Sequence, residues 1–224
     1  MQRLDGNLWL LDHRPIFPPA ARAGRSGILA VGGDLSVARL TAAYRQGIFP
    51  WFEAGDPIIW WSPDPRFVLF TREFHLPRSL ARTIRRGGYR VTFDAAFDRV
   101  VDACAAVERP GQRGTWITRE MAGAYKDLHR AGMAHSTEAW RGDELVGGLY
   151  GVDAGPVFSG ESMFAAAPDA SKVAFAATIG MLAARGTELV DCQMETVHLA
   201  RFGARFIPRA QFLAILGEEP RVSG

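Results

Sequence analysis

Residues 145–164 read LVGGLYGVDAGPVFSGESMF, and this stretch decides the fold. Two apolar strands flank a turn at Asp153, Ala154 and Gly155. Gly147, Gly148, Gly151 and Gly160 carry no side chain, so another backbone or a ligand can come close to this hairpin. At its end stands one carboxylate, Glu161, followed by Met163 and Phe164. An acid beside an apolar strand pair must find a partner or face a cavity. Downstream, PDASK opens an amphipathic helix over residues 170–185, and LVDCQ (189–193) reads as a buried strand carrying Asp191 and Gln193. These three pieces are expected to enclose one chamber.

Upstream, the elements continue in the same alternation. A strand over residues 66–70 is followed by a helix that Pro77 opens. Arg78, Arg82, Arg85 and Arg86 fall on one face of it, with Leu80 and Ile84 facing inward. No acid interrupts the stripe, so a phosphate-binding face competes with a merely solvated one. A strand at 89–93 follows, then a helix capped by Asp94 whose Phe97, Val100, Val101 and Cys104 share a face. A loop at 110–114 delivers Trp116, and Thr118 caps a helix carrying Met121, Tyr125 and Leu128. Residues 135–141 and 144–152 form a hairpin through Gly142 and Asp143. Asp169 caps the 170–185 helix and Gly186 closes it. From residue 66 onward this predicts a mixed sheet with helices on both faces.

Residues 1–63 differ. Pro15, Pro18, Pro19, Pro50, Pro57 and Pro63 punctuate them, Trp60 and Trp61 crowd their end, and one helix capped by Ser36 is legible. The reading is a small irregular N-terminal domain (1–63) and a larger α+β domain (64–224) joined at SPDPR.

The chain has 224 residues with 26 Lys and Arg against 24 Asp and Glu, and a net charge of +2 argues for no nucleic acid by itself. Cys104 and Cys192 lie far apart, and the five histidines do not cluster, so neither a disulfide framework nor a metal site is expected. No segment has the length or apolarity of a signal peptide or a membrane span, which points to the cytoplasm. There is no GxGxxG, Walker or GxSxG motif. Trp51 and Trp116 sit in Pro- or Gly-rich loops, where an aromatic serves as a stacking platform for a base, although core packing is the commoner use of one Trp. Asp191 and Gln193 alternate with Cys192 and are expected on one face of their strand.

VGGDLS, YRQGIFPWF, WWSPDPR, GTWIT, ELVGGLYGV, GESMF, DASK and DCQ occur in this order. Together they resemble the leucyl/phenylalanyl-tRNA–protein transferases over nearly the whole chain. The resemblance implies an acetyltransferase-like (GNAT-type) fold for the larger domain. It implies transfer of Leu, Phe or Met from aminoacyl-tRNA to proteins with N-terminal Arg or Lys, marking them for degradation, with no metal or diffusible cofactor. It also implies Trp51 and Trp116 near the terminal adenosine, Tyr125 as a further substrate-binding residue, Glu161 near the aminoacyl end, and Asp191 with Gln193 at the reacting carbonyl. On that footing Asp191 orients Gln193 and helps deprotonate the attacking amine, and Leu149, Phe158, Leu182 and Val190 are expected to form the apolar pocket. Departures stand at Ala165 and Ala166 after ESMF, and at Val197 and Arg201 around His198. Two other readings use the same features: an acyl-CoA-dependent N-acetyltransferase, against which the Gly-rich pyrophosphate loop is missing, and a non-catalytic tRNA- or degron-binding module.

Overall fold

The computed structural model describes residues 1–107 and 116–217; the expected loop at 110–114 and the tail 218–224 lie outside them. Two sheets carry the chain. The first is built from β1 (Gln2–Asp5), β2 (Leu8–Leu11), β3 (Ile28–Gly32), β4 (Phe49–Pro50) and β5 (Ile59–Trp61), in the order β1-β2-β3-β5-β4. The N-terminal segment is therefore more regular than its prolines suggest. Its strands are two to five residues long, too short for alternation to register. Its one helix, α1 (Val37–Arg45), starts as expected, with the Ser36 hydroxyl accepting from the Arg39 N–H.

The second sheet uses β6 (Arg66–Phe70), β7 (Arg90–Phe93), β8 (Ala134–Arg141), β9 (Glu144–Asp153), β10 (Val157–Ala165), β11 (Leu189–Gln193) and β12 (Arg205–Ile207). Its order is β12-β6-β11-β10-β9-β8-β7, antiparallel throughout except where β10 lies parallel to β11. The intervening helices are α2 (Arg78–Arg85), α3 (Phe97–Ala105), α4 (Arg119–Arg130), α5 (Ala170–Arg185), α6 (Val197–Arg201) and α7 (Arg209–Leu216). The element order agrees with the alternation read from the sequence. Two adjacent glycines explain how helices reach both faces. A Cβ on Gly147 would collide with Ala170 of α5, at 2.6 Å. A Cβ on Gly148 would press on Val100 of α3, at 3.2 Å. Successive residues of a strand point to opposite faces, so α5 and α3 flank β9 from opposite sides.

Two expected caps are corrected. The Asp94 carboxylate does not cap α3: it accepts from the Ser136 N–H at 2.8 Å and contacts His135 Nδ1 at 2.7 Å. The buried Glu138 of β8 instead holds the approach to the helix, contacting the Ala95 and Ala96 N–H groups at 3.4 Å and accepting from the Thr92 and Ser136 hydroxyls. Asp169 occupies the N-cap position of α5 in a left-handed conformation (φ 61°), but its side chain accepts from the Lys172 ammonium rather than from a backbone N–H of the helix. Asp94 is drawn to β8 across the fold, whereas Asp169 pairs with a lysine one turn into its own helix.

One hydrophobic core runs through both sheets, joining Leu29, Leu40 and Trp60 to Val68, Val100, Tyr125 and Tyr150. No helix among the described residues is long and apolar enough to cross a membrane.

Candidate active site

The site begins where β10 and β11 part. Their parallel pairing runs Val157 to Leu189, Phe158 to Val190 and Ser159 to Asp191, then stops, while β10 continues alone along β9. Beyond that point β11 bulges against β6 between Asp191 and Gln193. The cause is local. The Asp191 carboxylate accepts from the backbone N–H of Gln193 at 3.0 Å, closing a turn two residues long, and Gln193 sits at φ 59°. A residue with a side chain held there stores strain that the surroundings must impose.

This bulge overturns the same-face reading of Asp191 and Gln193. Alternation requires extended backbone, and Gln193 has left it. Gln193 and Cys192 line a cavity of about 450 Å³, whereas Asp191 does not. Asp191 is fully buried, and both of its oxygens accept from Arg66, Nε to Oδ1 at 2.8 Å and Nη2 to Oδ2 at 2.6 Å. A carboxylate so engaged has no route to a solute, so direct proton abstraction by Asp191 is excluded in this arrangement. What it touches is the backbone of Gln193.

Glu161 lies across the opening, on the wall of the cavity. Its Oε1 accepts from Gln193 Nε2 at 3.0 Å and its Oε2 from the Tyr125 hydroxyl at 2.6 Å. The Tyr44 hydroxyl lies 2.9 Å from that of Tyr125, tying α1 and α4 to the site. Burial pushes the Glu161 carboxyl up to about 7, against the pull of Tyr125, Tyr44 and Gln193. Burial, with the nearby Glu161, likewise holds the Tyr44 and Tyr125 phenols well above their usual range, so both stay protonated. Burial also pushes the Cys192 thiol up, which disfavours a thiolate nucleophile.

Of the side chains read from the sequence, Trp51, Trp116, Leu149, Phe158, Glu161, Val190 and Gln193 meet at this one cavity. Two do not. Leu182 is buried among Leu80, Phe175 and Val190 beneath the wall rather than on it. Tyr125 is wholly buried and reaches the site only through Glu161. Periodicity placed both on the right helix faces but could not tell a cavity wall from the layer behind it. Phe49, Phe175, Thr178, His198 and Leu199 are among the further lining residues and were not among the expected pocket residues. Burial, with Lys172 and Arg201 nearby, holds the His198 imidazole below its usual value.

The arginine stripe lies on α2, away from the cavity lining. Arg78, Arg82, Arg85 and Arg86 are all exposed. None of the four makes an ion pair among the described residues. Ile84 does not face inward as expected; it is 40% exposed, because only Leu80 of this two-turn helix reaches the core.

Comparison with known proteins gives the family. Residues 68–217 match the model of the leucyl/phenylalanyl-tRNA protein transferase family, and residues 33–64 match that of the family's N-terminal domain. A leucyl/phenylalanyl-tRNA–protein transferase from Anaeromyxobacter sp. (strain K) is 60% identical over 97% of this chain and 94% of its own length. One from Myxococcus xanthus is 58% identical over 92% and 88%. Among solved structures, a GCN5-related N-acetyltransferase from Kribbella flavida shares 12% identity, with a TM-score of 0.38 over 75% of this chain and 59% of that one.

Proposed function

Since this chain belongs to the leucyl/phenylalanyl-tRNA–protein transferase family, we propose that the cavity between β10 and β11 performs ester aminolysis with Glu161 and Gln193 as its reacting groups. The donor is a Leu-, Phe- or Met-charged tRNA. The acceptor is the free α-amine of a protein that begins with Arg or Lys, and the product is a protein marked for degradation in the cytoplasm.

The reaction must take two protons from the acceptor nitrogen, one of which ends on the ribose oxygen, and must move one acyl group. The acceptor arrives as an ammonium, whose ordinary pKa is about 7.7–8.0. Glu161, pushed up to about 7, is well matched to accept that proton near neutral pH. Its two oxygens are each engaged once, and an ionised carboxylate has room for further donors. The neutral amine attacks the ester carbonyl carbon, and the carbonyl oxygen becomes an oxyanion. Gln193 holds one amide N–H on Glu161, and its second is free to donate to that oxyanion. Collapse breaks the ester C–O bond, the ribose oxygen leaves with the proton that Glu161 carried, and the nitrogen, now bonded to the carbonyl carbon, releases its second proton to solvent to leave the neutral amide. Asp191 contributes by holding Gln193 in place and is a positioning residue.

The apolar wall of Leu149, Phe158 and Val190, extended by Met163 and Phe175, suits an unbranched-tolerant side chain. It separates Leu, Phe and Met weakly, because a methylene is worth only about 1–3 kcal/mol. Trp51 and Trp116, both at the cavity, offer faces for the terminal adenine. The exposed arginines of α2 receive phosphates of the acceptor arm without reading bases.

The observation that carries this reading is the buried Glu161 carboxyl, held between Tyr125 and Gln193 on the wall of a mostly apolar cavity. Incubation with tRNA charged with labelled Leu tests it. Label is expected on a peptide starting with Arg and not on the same peptide starting with Ala; equal labelling, or none, would contradict the reading.

A further inference from the structure

We propose that Arg66 is a positioning residue for the transfer reaction, acting through Asp191 on Gln193; this rests on the role given to Gln193 above. Arg66 opens β6 and is 1% exposed. Nothing about a buried arginine requires a functional use, but three features of its surroundings are specific. Its fork meets the Asp191 carboxylate through two parallel bonds of 2.8 and 2.6 Å, a geometry that a lysine cannot reproduce. Its guanidinium carbon lies 4.7 Å from the Phe49 ring centre and 4.6 Å from that of Phe212. Its remaining nitrogen, Nη1, has no hydrogen-bond partner. Faces of aromatic rings compensate a desolvated guanidinium where hydrogen bonds do not.

The consequence is a chain of contacts that ends in the cavity. Phe49 belongs to β4 of the N-terminal sheet and itself lines the cavity, and Phe212 belongs to α7 near the C-terminus. Between them they fix the plane of Arg66. Arg66 fixes both oxygens of Asp191. Oδ1 of Asp191 fixes the backbone N–H of Gln193 at φ 59°, and this aims the Gln193 amide at Glu161. Remove the fork, and Asp191 can turn; the left-handed conformation of Gln193 then loses the bond that closes it. A displacement of about 1 Å in a reacting group costs on the order of a hundredfold in rate. The tRNA-binding stripe on α2 is untouched by any of this.

Arg66→Lys keeps the buried positive charge and removes the fork, so it is the informative variant. Expected is a fall in kcat of about ten- to a hundredfold. KM for Leu-tRNA should stay within about twofold, since uniform binding is not lost. A merely structural role moves KM, melting temperature and kcat together. In a Gln193→Ala background, Arg66→Lys should add almost nothing, because the group it positions is gone. Wild-type kcat in Arg66→Lys, a raised KM at unchanged kcat, or losses that multiply in the double variant would each overturn the assignment. Should Arg66→Lys not fold, Phe212→Leu decides. It removes one ring face that does not line the cavity, and kcat should drop several-fold at unchanged KM; unchanged kcat would overturn the proposal. Gln193→Ala alone separates the two readings. Impaired Gln193→Ala with an independent Arg66→Lys effect sinks only Arg66, whereas wild-type turnover in Gln193→Ala sinks both.

Discussion

Charge is used in opposite ways on α2 and at the end of β11. On α2, four arginines stand in solvent with no ion pairs among the described residues. At β11, Asp191, Arg66, Glu161 and Tyr125 are buried and bound to one another or to Gln193. Exposed charge acts at a distance, is screened by salt and tolerates imprecise geometry. Buried charge acts through fixed distances, and one lost partner leaves the rest unsatisfied. The first arrangement suits holding a long polyanion, the second suits a reaction.

The largest expected effect lies in the buried set. Gln193→Ala removes a donor aimed into the cavity, and such a loss costs roughly 3–4 kcal/mol of activation free energy. Single-turnover transfer of Leu should fall by about a hundred- to a thousandfold, while Leu-tRNA binding by filter retention stays unchanged. A rate within twofold of wild type would place the oxyanion elsewhere.

Next comes pH. Glu161 ionises near 4.5 in the unfolded chain and about 7 in the folded one, so folding binds a proton. Its contribution to stability is fully present below about pH 4.5 and is lost as pH rises toward 7, by up to about 3 kcal/mol. Urea midpoints of wild type should decline over that window relative to Glu161→Gln, in which the decline disappears. Parallel curves would show that Glu161 is not held neutral by burial.

What could be read in advance follows the same division. The elements from residue 66 onward were legible because α3, α4 and α5 are long and amphipathic or capped by Thr118 and closed by Gly186. The α2 arginines were legible as a stripe because exposure follows helical period. The chemistry around Asp191 was not. Its bulge arises from a bond between a side chain and a backbone two residues on, and its partner Arg66 is 125 residues away. No local period encodes either. The N-terminal sheet escaped notice for a related reason, its strands being too short to alternate visibly.

Smaller effects belong to the stripe. Each α2 arginine changed to Ala should weaken Leu-tRNA binding modestly and flatten the slope of log affinity against log salt by about 0.7–0.9 per contact. An unchanged slope in the quadruple variant would make the stripe mere surface. Smallest of all, Ile84→Gln should leave stability within about 0.5 kcal/mol, because the side chain is 40% exposed. A larger loss in thermal melting would mean that α2 packs more deeply than its exposure indicates.

The division of labour is tested most directly by changing the donor. Leu transfer to an Arg-starting peptide is measured from full-length Leu-tRNA and from leucyl-adenosine, which lacks the acceptor-arm phosphates. The account predicts that Gln193→Ala loses its rate with both donors, and that the quadruple Arg78, Arg82, Arg85, Arg86→Ala protein loses it with tRNA alone. A quadruple variant equally impaired on leucyl-adenosine, or a Gln193→Ala protein impaired only on tRNA, would contradict it.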